Sequence, residues 1–442
     1  MYFLNSEECT QPLPSDPPAT PTILPGAFLD SLGTSSELQV IYEKYFSSIH
    51  AWLPLLSPKV VRRIVQKETF RGDANHALLL MCIKLISQQR SKAGPVTDNI
   101  YSLVKELIMK LEITALPSLI LLQSIILIST YESMQGIFPS AFYSVGHAVR
   151  LGTMMGLHDR EHALQLFKDP GTWTRREEQR RAWWSVLLLD RFTNQELPSV
   201  PLSTPEPHSG ELLPCSETAW DTGAVGINEP LYVPEFSANT TLGSFANACQ
   251  AAHALGRALR HRDDRHTDVD IGFRVNEAKQ LHTILSALTT HLYRNIGISM
   301  PDSSTMTALG LTFTARYLVY GLYACNERYS SGVRSTQETE MQQISLAGIY
   351  EVSHQIWTLT RRILDIAASG EAACKASPLL CHCLYLAAGE CEWFVLEDSE
   401  SDGRIWFLDI VELLRIMAER WQIAGIYVEE INKWPGYNQV RQ

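Results

Sequence analysis

The segment from His158 to His162, HDREH, has the residue types and spacing of a zinc protease motif. In the H-x-x-E-H form of that motif, two histidines bind zinc from one face of a helix and the glutamate acts as a base. Two observations favour an ordinary turn. Gly152 and Gly156 precede the segment and place His158 at a helix end, and no third zinc ligand stands at a recognisable spacing. We therefore expect no metal site and no catalytic residue here.

A second group of potential ligands lies towards the C-terminus. It consists of Cys374, Cys381, His382, Cys383 and Cys391. On a helix, residues 381 and 383 point about 200° apart, and residues 374 and 381 lie about 10 Å apart along the axis. A tetrahedral zinc with bonds of about 2.3 Å to sulfur cannot close around them, so we interpret these residues as buried side chains. The sequence also lacks a Gly-rich phosphate loop, a G-x-S-x-G elbow and a dinucleotide fingerprint. We predict that the chain is not an enzyme and that it has no cofactor.

A stretch rich in arginine and tryptophan, residues 173–191, combines side chains that nucleic-acid interfaces use. Its five arginines are offset by three acidic residues, which leaves a local surplus of two positive charges. We predict solvated ion pairs in the first turns of a helix, followed by a buried run that begins with Trp183 and Trp184. Asp190 and Arg191 lie next to that run and must either be partnered or reach the surface.

The composition places the chain among globular proteins. Its 442 residues are 45% apolar, with 22 prolines and 25 glycines, which suits a large core and excludes a disordered or fibrous chain. The net charge is -11, so the surface as a whole does not suit a polyanion. Nine irregularly spaced cysteines do not form a secreted disulfide framework, which favours a reducing, intracellular compartment. The apolar stretches 77–86 and 116–128 are too short to cross a membrane, so we expect no membrane partner.

Helical periodicity dominates from Glu37 onward and alternating strand patterns are scarce, so we predict an all-α fold. The predicted helices cover 37–50, 57–68, 74–91, 97–112, 117–133, 139–155, 174–195, 241–261, 269–295, 304–329, 337–369, 377–397 and 403–433. A proline-rich loop is predicted at 196–240. The balanced charges at 257–274 predict a solvated hinge.

Four strings of residues together resemble one family. They are YFSSIHAWLPLL at 45–56, YSVGHAVRLGTMMGLH at 143–158, EQRRAWWSVLLLDR at 178–191 and LPCSETAWDTG at 213–223. Their order and spacing are similar to those of the fungal-specific transcription factor domain, the middle homology region of the zinc binuclear cluster regulators. The second string resembles the family's ARLAxxLGLHR segment, and the third resembles its Trp-Trp helix. The resemblance extends from residue 37 to about residue 260.

The resemblance implies an all-α regulatory domain of a nuclear transcription regulator, which regulates activity, senses small molecules or contacts partners. The family usually carries a six-cysteine DNA-binding zinc cluster ahead of this domain. Here Cys9 is the only cysteine before Cys82, and no Lys or Arg precedes Lys44. We therefore expect no zinc cluster in this chain, and DNA contact only indirectly or through a missing N-terminal module. Either the DNA-binding exon is missing through a truncated gene model or real divergence, or the chain acts as the partner of a DNA-bound protein.

We expect three regions: a disordered Pro/Ser-rich arm at 1–36, the regulatory domain at 37–260, and a helical C-terminal region at 261–442 packed on it. The predicted function is transcription regulation, with a metabolic or specialised-metabolite gene set as a candidate target. The predicted partners are other transcription proteins, including a homo- or heterodimer, and a small-molecule effector. The alternative is a stand-alone ligand-binding or scaffold protein of the same fold with no DNA binding of its own.

A ligand pocket is expected where the Trp-Trp helix meets the segment that carries the second string. Aromatic walls with a few convergent polar groups are typical of small-molecule sites. The predicted ligand-binding residues are His147, Arg150, His158, Trp183, Trp184 and Arg191. The other interpretation of these residues is ordinary helix packing, with the polar groups paired internally.

Overall fold

The structure of the chain is a computed structural model. It describes residues 24, 26–88, 99–114, 116–166, 170–232, 242–264, 271–295, 302–325, 335–368, 376–397 and 402–436. Cys374 and the part of the predicted arm before residue 24 lie outside these ranges.

The described residues form sixteen α-helices. Their bounds are α1 Gly26–Leu32, α2 Ser35–Ser48, α3 Pro58–Gln66, α4 Ala74–Ser87, α5 Asn99–Thr114, α6 Leu119–Met134, α7 Ser140–Met154, α8 Trp173–Asn194, α9 Glu217–Thr222, α10 Ser244–Asp263, α11 Ile271–Asn295, α12 Ser303–Ala324, α13 Thr336–Ala368, α14 Cys381–Glu397, α15 Gly403–Ala418 and α16 Gln422–Ile431. An isolated antiparallel bridge between Leu212 and Pro230 is the one extended pairing in the described ranges. The predicted all-α fold is confirmed.

Helix α1 lies inside the segment that we predicted to be a disordered arm. Its side chains Phe28 and Leu32 are buried, and apolar burial of this kind outweighs the conformational entropy of a short helix. Helix α2 follows after a capping box, in which Thr34 and Glu37 each accept a hydrogen bond from the other's backbone N–H. The predicted disorder is therefore wrong for residues 26–36, because α1 and the start of α2 lie within them.

Two further elements differ from the prediction. The loop predicted at 196–240 contains the short helix α9, which begins after Ser216 and carries the buried Trp220. The single helix predicted at 403–433 is divided, because Trp421 adopts an extended backbone conformation between α15 and α16. The side chain of Trp421 is buried, so its packing stabilises the break.

The chain divides into two compact units, of which the first contains residues 1–193 and 203–246. Helix α6 is buried on nearly all sides, and it packs against α4 and α7. Its polar residues Ser124, Ser129, Thr130 and Ser133 donate their hydroxyl hydrogens to carbonyl oxygens one turn earlier in the same helix. Buried polar side chains are thereby satisfied without partners from other elements.

The second unit contains residues 194–202 and 247–442. Helix α12 is its central element and packs against α11, α13 and α14. Gly348 in α13 allows a close approach to Tyr320 of α12, because a Cβ atom at this position would lie 2.5 Å from the ring of this buried residue. The small residue therefore sets the distance between these two helices.

The described part of segment 257–274 corrects the predicted solvated hinge. Helix α10 continues without a break to Asp263, and the side chains of His261 and Arg262 are buried. Arg262 donates to the carbonyl oxygens of Gln195 (2.8 Å) and Leu197 (3.0 Å). These acceptors lie more than sixty residues away in sequence, which is why charge balance along the segment did not reveal them.

Among the described residues, one segment, Pro378–Glu397, is long and apolar enough by length and composition to cross a membrane. We did not single it out in the sequence. Half of its apolar window is buried inside the structure, and helix α14 within it packs against α12, α13, α15 and α16. Packing on several sides accounts for its apolar composition.

Candidate functional site

Helix α8 carries a buried ion pair in its second turn. The side chains of Glu177 and Arg181 are both fully buried, and their Oε1 and Nε atoms lie 2.9 Å apart. Arg180 contacts the other carboxylate oxygen of Glu177 at 2.6 Å. Burial alone would raise the pKa of Glu177, but the two guanidinium groups lower it below its usual range. Glu177 is therefore held as a carboxylate inside the first unit.

Arg181 connects three of the four strings that carry the family resemblance. Its Nη1 donates to the carbonyl oxygen of Pro54 (3.1 Å), and its Nη2 donates to that of Cys215 (2.8 Å). Its guanidinium carbon lies 4.7 Å from the ring centroid of Trp220. A planar group with five donors suits this position, because it can satisfy several acceptors and stack on an aromatic ring at the same time.

Glu178, which follows Glu177 in α8, is also buried. Its Oε2 atom lies 3.4 Å from Nη1 of Arg175. Burial raises the pKa of Glu178 to about 7, although Arg175 acts in the opposite direction. The solvated ion pairs predicted for this stretch are therefore wrong for Glu177, Glu178 and Arg181. The partners Pro54 and Cys215 are distant in sequence, so the local charge pattern could not identify them.

Asp190 and Arg191 form a second buried pair at the other end of α8, with 2.9 Å between carboxylate and guanidinium. Asp190 also accepts hydrogen bonds from the backbone N–H of Ser203 (3.1 Å) and from the N–H and hydroxyl of Thr204 (2.9 and 2.7 Å). The sequence required Asp190 and Arg191 either to be partnered or to reach the surface, and the structure shows that they are buried and paired with each other. The pair attaches the loop after residue 202 to α8.

The HDREH segment forms a turn, not a helix. Asp159 accepts hydrogen bonds from the backbone N–H groups of Glu161 (3.1 Å) and His162 (2.9 Å). The two histidines therefore do not share a helix face as a zinc protease requires. In the described ranges, no group of three or more His, Cys, Asp and Glu side chains is arranged to hold a metal ion.

The cysteines of α14 are buried among apolar side chains. Burial raises the pKa of the thiols of Cys381, Cys383 and Cys391, and it lowers the pKa of His382 to about 3. Neutral thiols and a neutral imidazole in this setting contribute to packing and do not supply a nucleophile.

A cavity of about 440 Å³ opens between the end of α7, the first half of α8 and the loop around residue 210. Its apolar lining comes from Met155, Leu157, Pro170, Trp183, Trp184 and Leu212. Its polar lining comes from Arg160, Glu161, Gln165, Arg176, Gln179, Arg180, His208 and Glu211, and Gly210 completes the wall. The indole N–H of Trp184 donates to the carbonyl oxygen of Leu212 (3.0 Å), which fixes the loop against α8.

The structure brings together only part of the predicted ligand-binding set. Trp183 and Trp184 line the cavity, and the other four predicted residues do not. The ring centroid of His158 lies 6.2 Å from that of Trp183. The remaining three residues have different settings. His147 pairs with Glu112 at 3.3 Å, Arg150 is exposed, and Arg191 is buried with Asp190.

Several lining residues were missed by the sequence analysis. Gln179 and Arg176 precede Trp183 by one and two helical turns, so helical spacing from the tryptophan could have identified them. Glu211 and Leu212 come from the loop, and no local pattern places a loop opposite a helix.

Residues 42–234 match the family described as the fungal specific transcription factor domain. Transcription factor BOA15 of Botryotinia fuckeliana is 34% identical to this chain over 138 residues. The matched residues make up 31% of this chain and 76% of that protein. This chain belongs to the fungal-specific transcription factor domain family. All the motifs that the resemblance rested on lie inside or at the edge of the matched range.

Two other relatives match longer parts of the chain. Pigment biosynthesis transcriptional activator pigB of Monascus ruber is 24% identical over 337 residues, 71% of this chain and 59% of that protein. Transcription factor tazR of Aspergillus terreus is 26% identical over 232 residues, 49% of this chain and 35% of that protein. The chain thus spans about a third to three fifths of these two relatives.

Proposed function

We propose that this chain is the regulatory part of a fungal transcription regulator of the zinc-cluster type, that it works in the nucleus and that it is not an enzyme. The observation that carries this proposal is the family match at 42–234, together with coverage of three quarters of Transcription factor BOA15. The alternative, a ligand-binding or scaffold protein without a transcriptional role, is not favoured by relatives that are all named as transcription factors or activators.

We propose that regulation proceeds through contacts with other transcription proteins, in a homo- or heterodimer, and with a small-molecule effector. The net charge of -11 supports contact with DNA through a partner or a zinc-cluster module, and not through the surface of this chain. The name of pigB attaches that protein to pigment biosynthesis. A specialised-metabolite gene set is accordingly our candidate target.

A tethered reporter assay tests the proposal. The full chain is fused to a heterologous DNA-binding domain whose sites precede a reporter gene in a fungal host. We expect reporter output to differ from that of the DNA-binding domain alone. Arg181→Ala, which breaks the buried pair with Glu177, should abolish the difference, whereas Arg71→Ala at an exposed pair should preserve it. Output equal to that of the unfused domain, from a fusion shown to be folded, would overturn the proposal.

A further inference from the structure

Residues 224–229 follow α9 as an extended segment on the surface of the first unit. Val225 and Ile227 are 78% and 81% exposed, whereas Gly226 and Asn228, which alternate with them, are partly covered. Exposure that alternates with a period of two residues is typical of a β-strand with one face in solvent. The segment therefore presents strand-like backbone on a chain whose described residues are mostly helical.

The inward side of this segment is fixed by packing and hydrogen bonds. A Cβ atom at Gly226 would lie 2.7 Å from the Cβ atom of Cys215, so glycine allows the backbone to lie close to the residues behind it. The side-chain amide of Asn228 donates to Oε2 of the buried Glu177 (2.9 Å) and to the carbonyl oxygen of Leu213 (3.0 Å). These contacts hold the outward side in place before a partner binds, which lowers the entropic cost of binding.

The backbone groups of the outward residues are unpaired. The N–H of Ala224 and the carbonyl oxygen of Glu229 make hydrogen bonds within the first unit, at 2.9 and 2.7 Å. Between them, the N–H and C=O groups of Val225 and Ile227 have no hydrogen-bond partner among the described residues. Strand residues two apart direct these groups to the same edge. An unpaired edge of this kind is a template for pairing with another strand.

The chain around this edge is acidic. Residues 192–256 contain seven Asp and Glu residues and no Lys or Arg. Asp221 and Glu229 lie on either side of the exposed aliphatic residues, and the side chain of Asp221 is half exposed. Lys59, which lies beside Gly223, offsets only part of this charge. Basic residues on a partner are therefore attracted to the edge.

The size of the edge decides what kind of partner fits. A strand of five residues, at about 3.3 Å per residue, spans roughly 17 Å. Two exposed aliphatic side chains offer far less than the roughly 800 Å² per partner of a stable protein dimer. A short extended peptide matches this edge, because main-chain hydrogen bonds supply its affinity and alternate side chains its selectivity. β-Branched residues opposite Val225 and Ile227 form favourable cross-strand pairs.

We propose that residues 224–229 bind an extended segment of a partner protein by β-strand addition. In that segment, β-branched residues two apart lie opposite Val225 and Ile227, and Lys or Arg residues flank them. Its main chain pairs with the unpaired N–H and C=O groups of the edge. The assignment of the partner to transcription rests on the proposed function, whereas binding itself can be measured on the purified chain.

A synthetic peptide tests binding directly. The probe is fluorescein-labelled Lys-Lys-Thr-Val-Thr-Val-Thr-Lys-Lys. The control peptide has the same side chains, but its central amides are N-methylated and cannot donate main-chain hydrogen bonds. We expect fluorescence anisotropy to show binding of the probe and at least tenfold weaker binding of the control. No binding of the probe up to about 0.5 mM chain, or equal binding of both peptides, would overturn the proposal.

Two lysine substitutions locate the peptide. Ile227→Lys removes a cross-strand contact and repels the basic peptide, so we expect binding to weaken at least tenfold. Ile113→Lys is the matched control, because it makes the same change at an 85% exposed position on α5, and it should alter binding by less than twofold. Equal effects of the two substitutions, in chains with the wild-type melting temperature, would place the peptide elsewhere and contradict the proposal.

Hydrogen exchange and sedimentation identify the edge and its occupant. Bound peptide should slow amide exchange in fragments that contain Val225 and Ile227, and unchanged exchange there would contradict strand addition. Without peptide, Ile227→Lys should sediment as the wild-type chain does. A wild-type dimer that Ile227→Lys converts to monomers would show a second copy of the chain at the edge and overturn the peptide assignment.

The two proposals fail separately. A tethered chain that changes reporter output while the purified chain binds no peptide would overturn strand addition and leave the regulatory function intact. A chain that binds the peptide at the edge but leaves the reporter unchanged would overturn the function and leave strand addition intact.

Discussion

Buried charges on α8 organise the first unit at the scale of single residues. Glu177 accepts hydrogen bonds from the backbone of Cys215 (2.9 Å) and the side chain of Asn228 (2.9 Å), in addition to its arginine partners. A buried carboxylate with this many donors is well compensated. If one partner is removed, the remaining charged groups stay buried and their desolvation is no longer compensated.

The first prediction concerns Arg181. Arg181→Ala leaves Glu177 buried without the donor at its Oε1 atom, and it leaves the carbonyl oxygens of Pro54 and Cys215 without this donor. We expect the free energy of unfolding to fall by about 3 to 5 kcal/mol, measured by urea denaturation. Arg71→Ala, at an exposed pair with Glu68, should change it by less than about 0.5 kcal/mol. Equal effects of the two substitutions would contradict the described cluster.

The second prediction concerns the pH dependence of stability. The pKa of Glu178 is raised to about 7 in the folded chain from an ordinary value of 4.5. Between these pH values the unfolded chain loses the proton first, so folding stability contributed by this group falls as pH rises. It is fully present below pH 4.5 and is lost above pH 7.

Glu178→Gln mimics the protonated form and removes this dependence. Relative to the variant, the wild-type chain should lose about 3 kcal/mol of unfolding free energy between pH 4.5 and pH 8. Urea denaturation at several pH values measures the difference. Parallel stability curves for the two proteins would show that Glu178 is ionised in the folded state throughout.

The sequence allowed prediction of the aromatic wall at Trp183 and Trp184 because an apolar run on a helix indicates burial regardless of what covers it. It did not allow prediction of the buried state of Arg181, because the acceptors on Pro54 and Cys215 are 127 and 34 residues away. Local charge balance is a poor guide where the compensating groups are backbone carbonyls of other segments.

At the scale of elements, the loop after residue 202 is attached to α8 at defined points. The hydroxyl of Thr204 donates a hydrogen bond to the carboxylate of Asp190. The indole N–H of Trp184 donates to the carbonyl oxygen of Leu212, and the guanidinium group of Arg181 donates to that of Cys215. The backbone N–H of Leu213 also donates to the carbonyl oxygen of Glu229 (2.7 Å). A loop with these attachments can form one wall of a cavity.

The third prediction tests one of these attachments. Thr204→Val keeps the shape of the buried side chain and removes the 2.7 Å hydrogen bond to Asp190. We expect a loss of about 1 to 2 kcal/mol in unfolding free energy and faster amide hydrogen exchange at residues 203 and 204. Thr222→Val, whose hydroxyl bonds a carbonyl of its own helix at an exposed position, is the matched control. A larger effect at Thr222 would contradict the attachment.

The fourth prediction uses two glycines of the second unit. Gly348→Ala places a Cβ atom 2.5 Å from the ring of Tyr320, so we expect destabilisation of about 1 to 3 kcal/mol. Gly321→Ala in α12 meets nothing within 4 Å and should stabilise by about 0.5 to 1 kcal/mol. Thermal unfolding of the two variants distinguishes these signs. A neutral Gly348→Ala would mean that α12 and α13 lie further apart than described.

Element type was predictable because helical periodicity persists along most of the chain. Two features of the fold were not predictable from this periodicity. The break at Trp421 depends on where its side chain packs, and helix α9 depends on the cap at Ser216 within a segment dominated by prolines. The first is decided by a tertiary contact and the second by a local N-cap, in which the Ser216 side chain accepts from the backbone N–H of Ala219, and hydrophobic periodicity reports neither.

At the scale of the whole molecule, family membership and the acidic net charge are the two features that bear on the proposed role in transcription. A chain with 48 acidic and 37 basic residues has no net electrostatic attraction to DNA as a whole. The cavity beside α8 lies within the matched range.

The most direct test of regulatory function is transcript sequencing in the organism that carries this chain. A strain in which the reading frame is deleted is compared with the parent and with a strain in which the chain is restored. We predict that a set of biosynthetic genes changes expression several-fold on deletion and returns on restoration. Transcript levels that are the same in all three strains, apart from the deleted gene, under conditions where the chain is expressed, would contradict the assignment of this protein to transcription regulation.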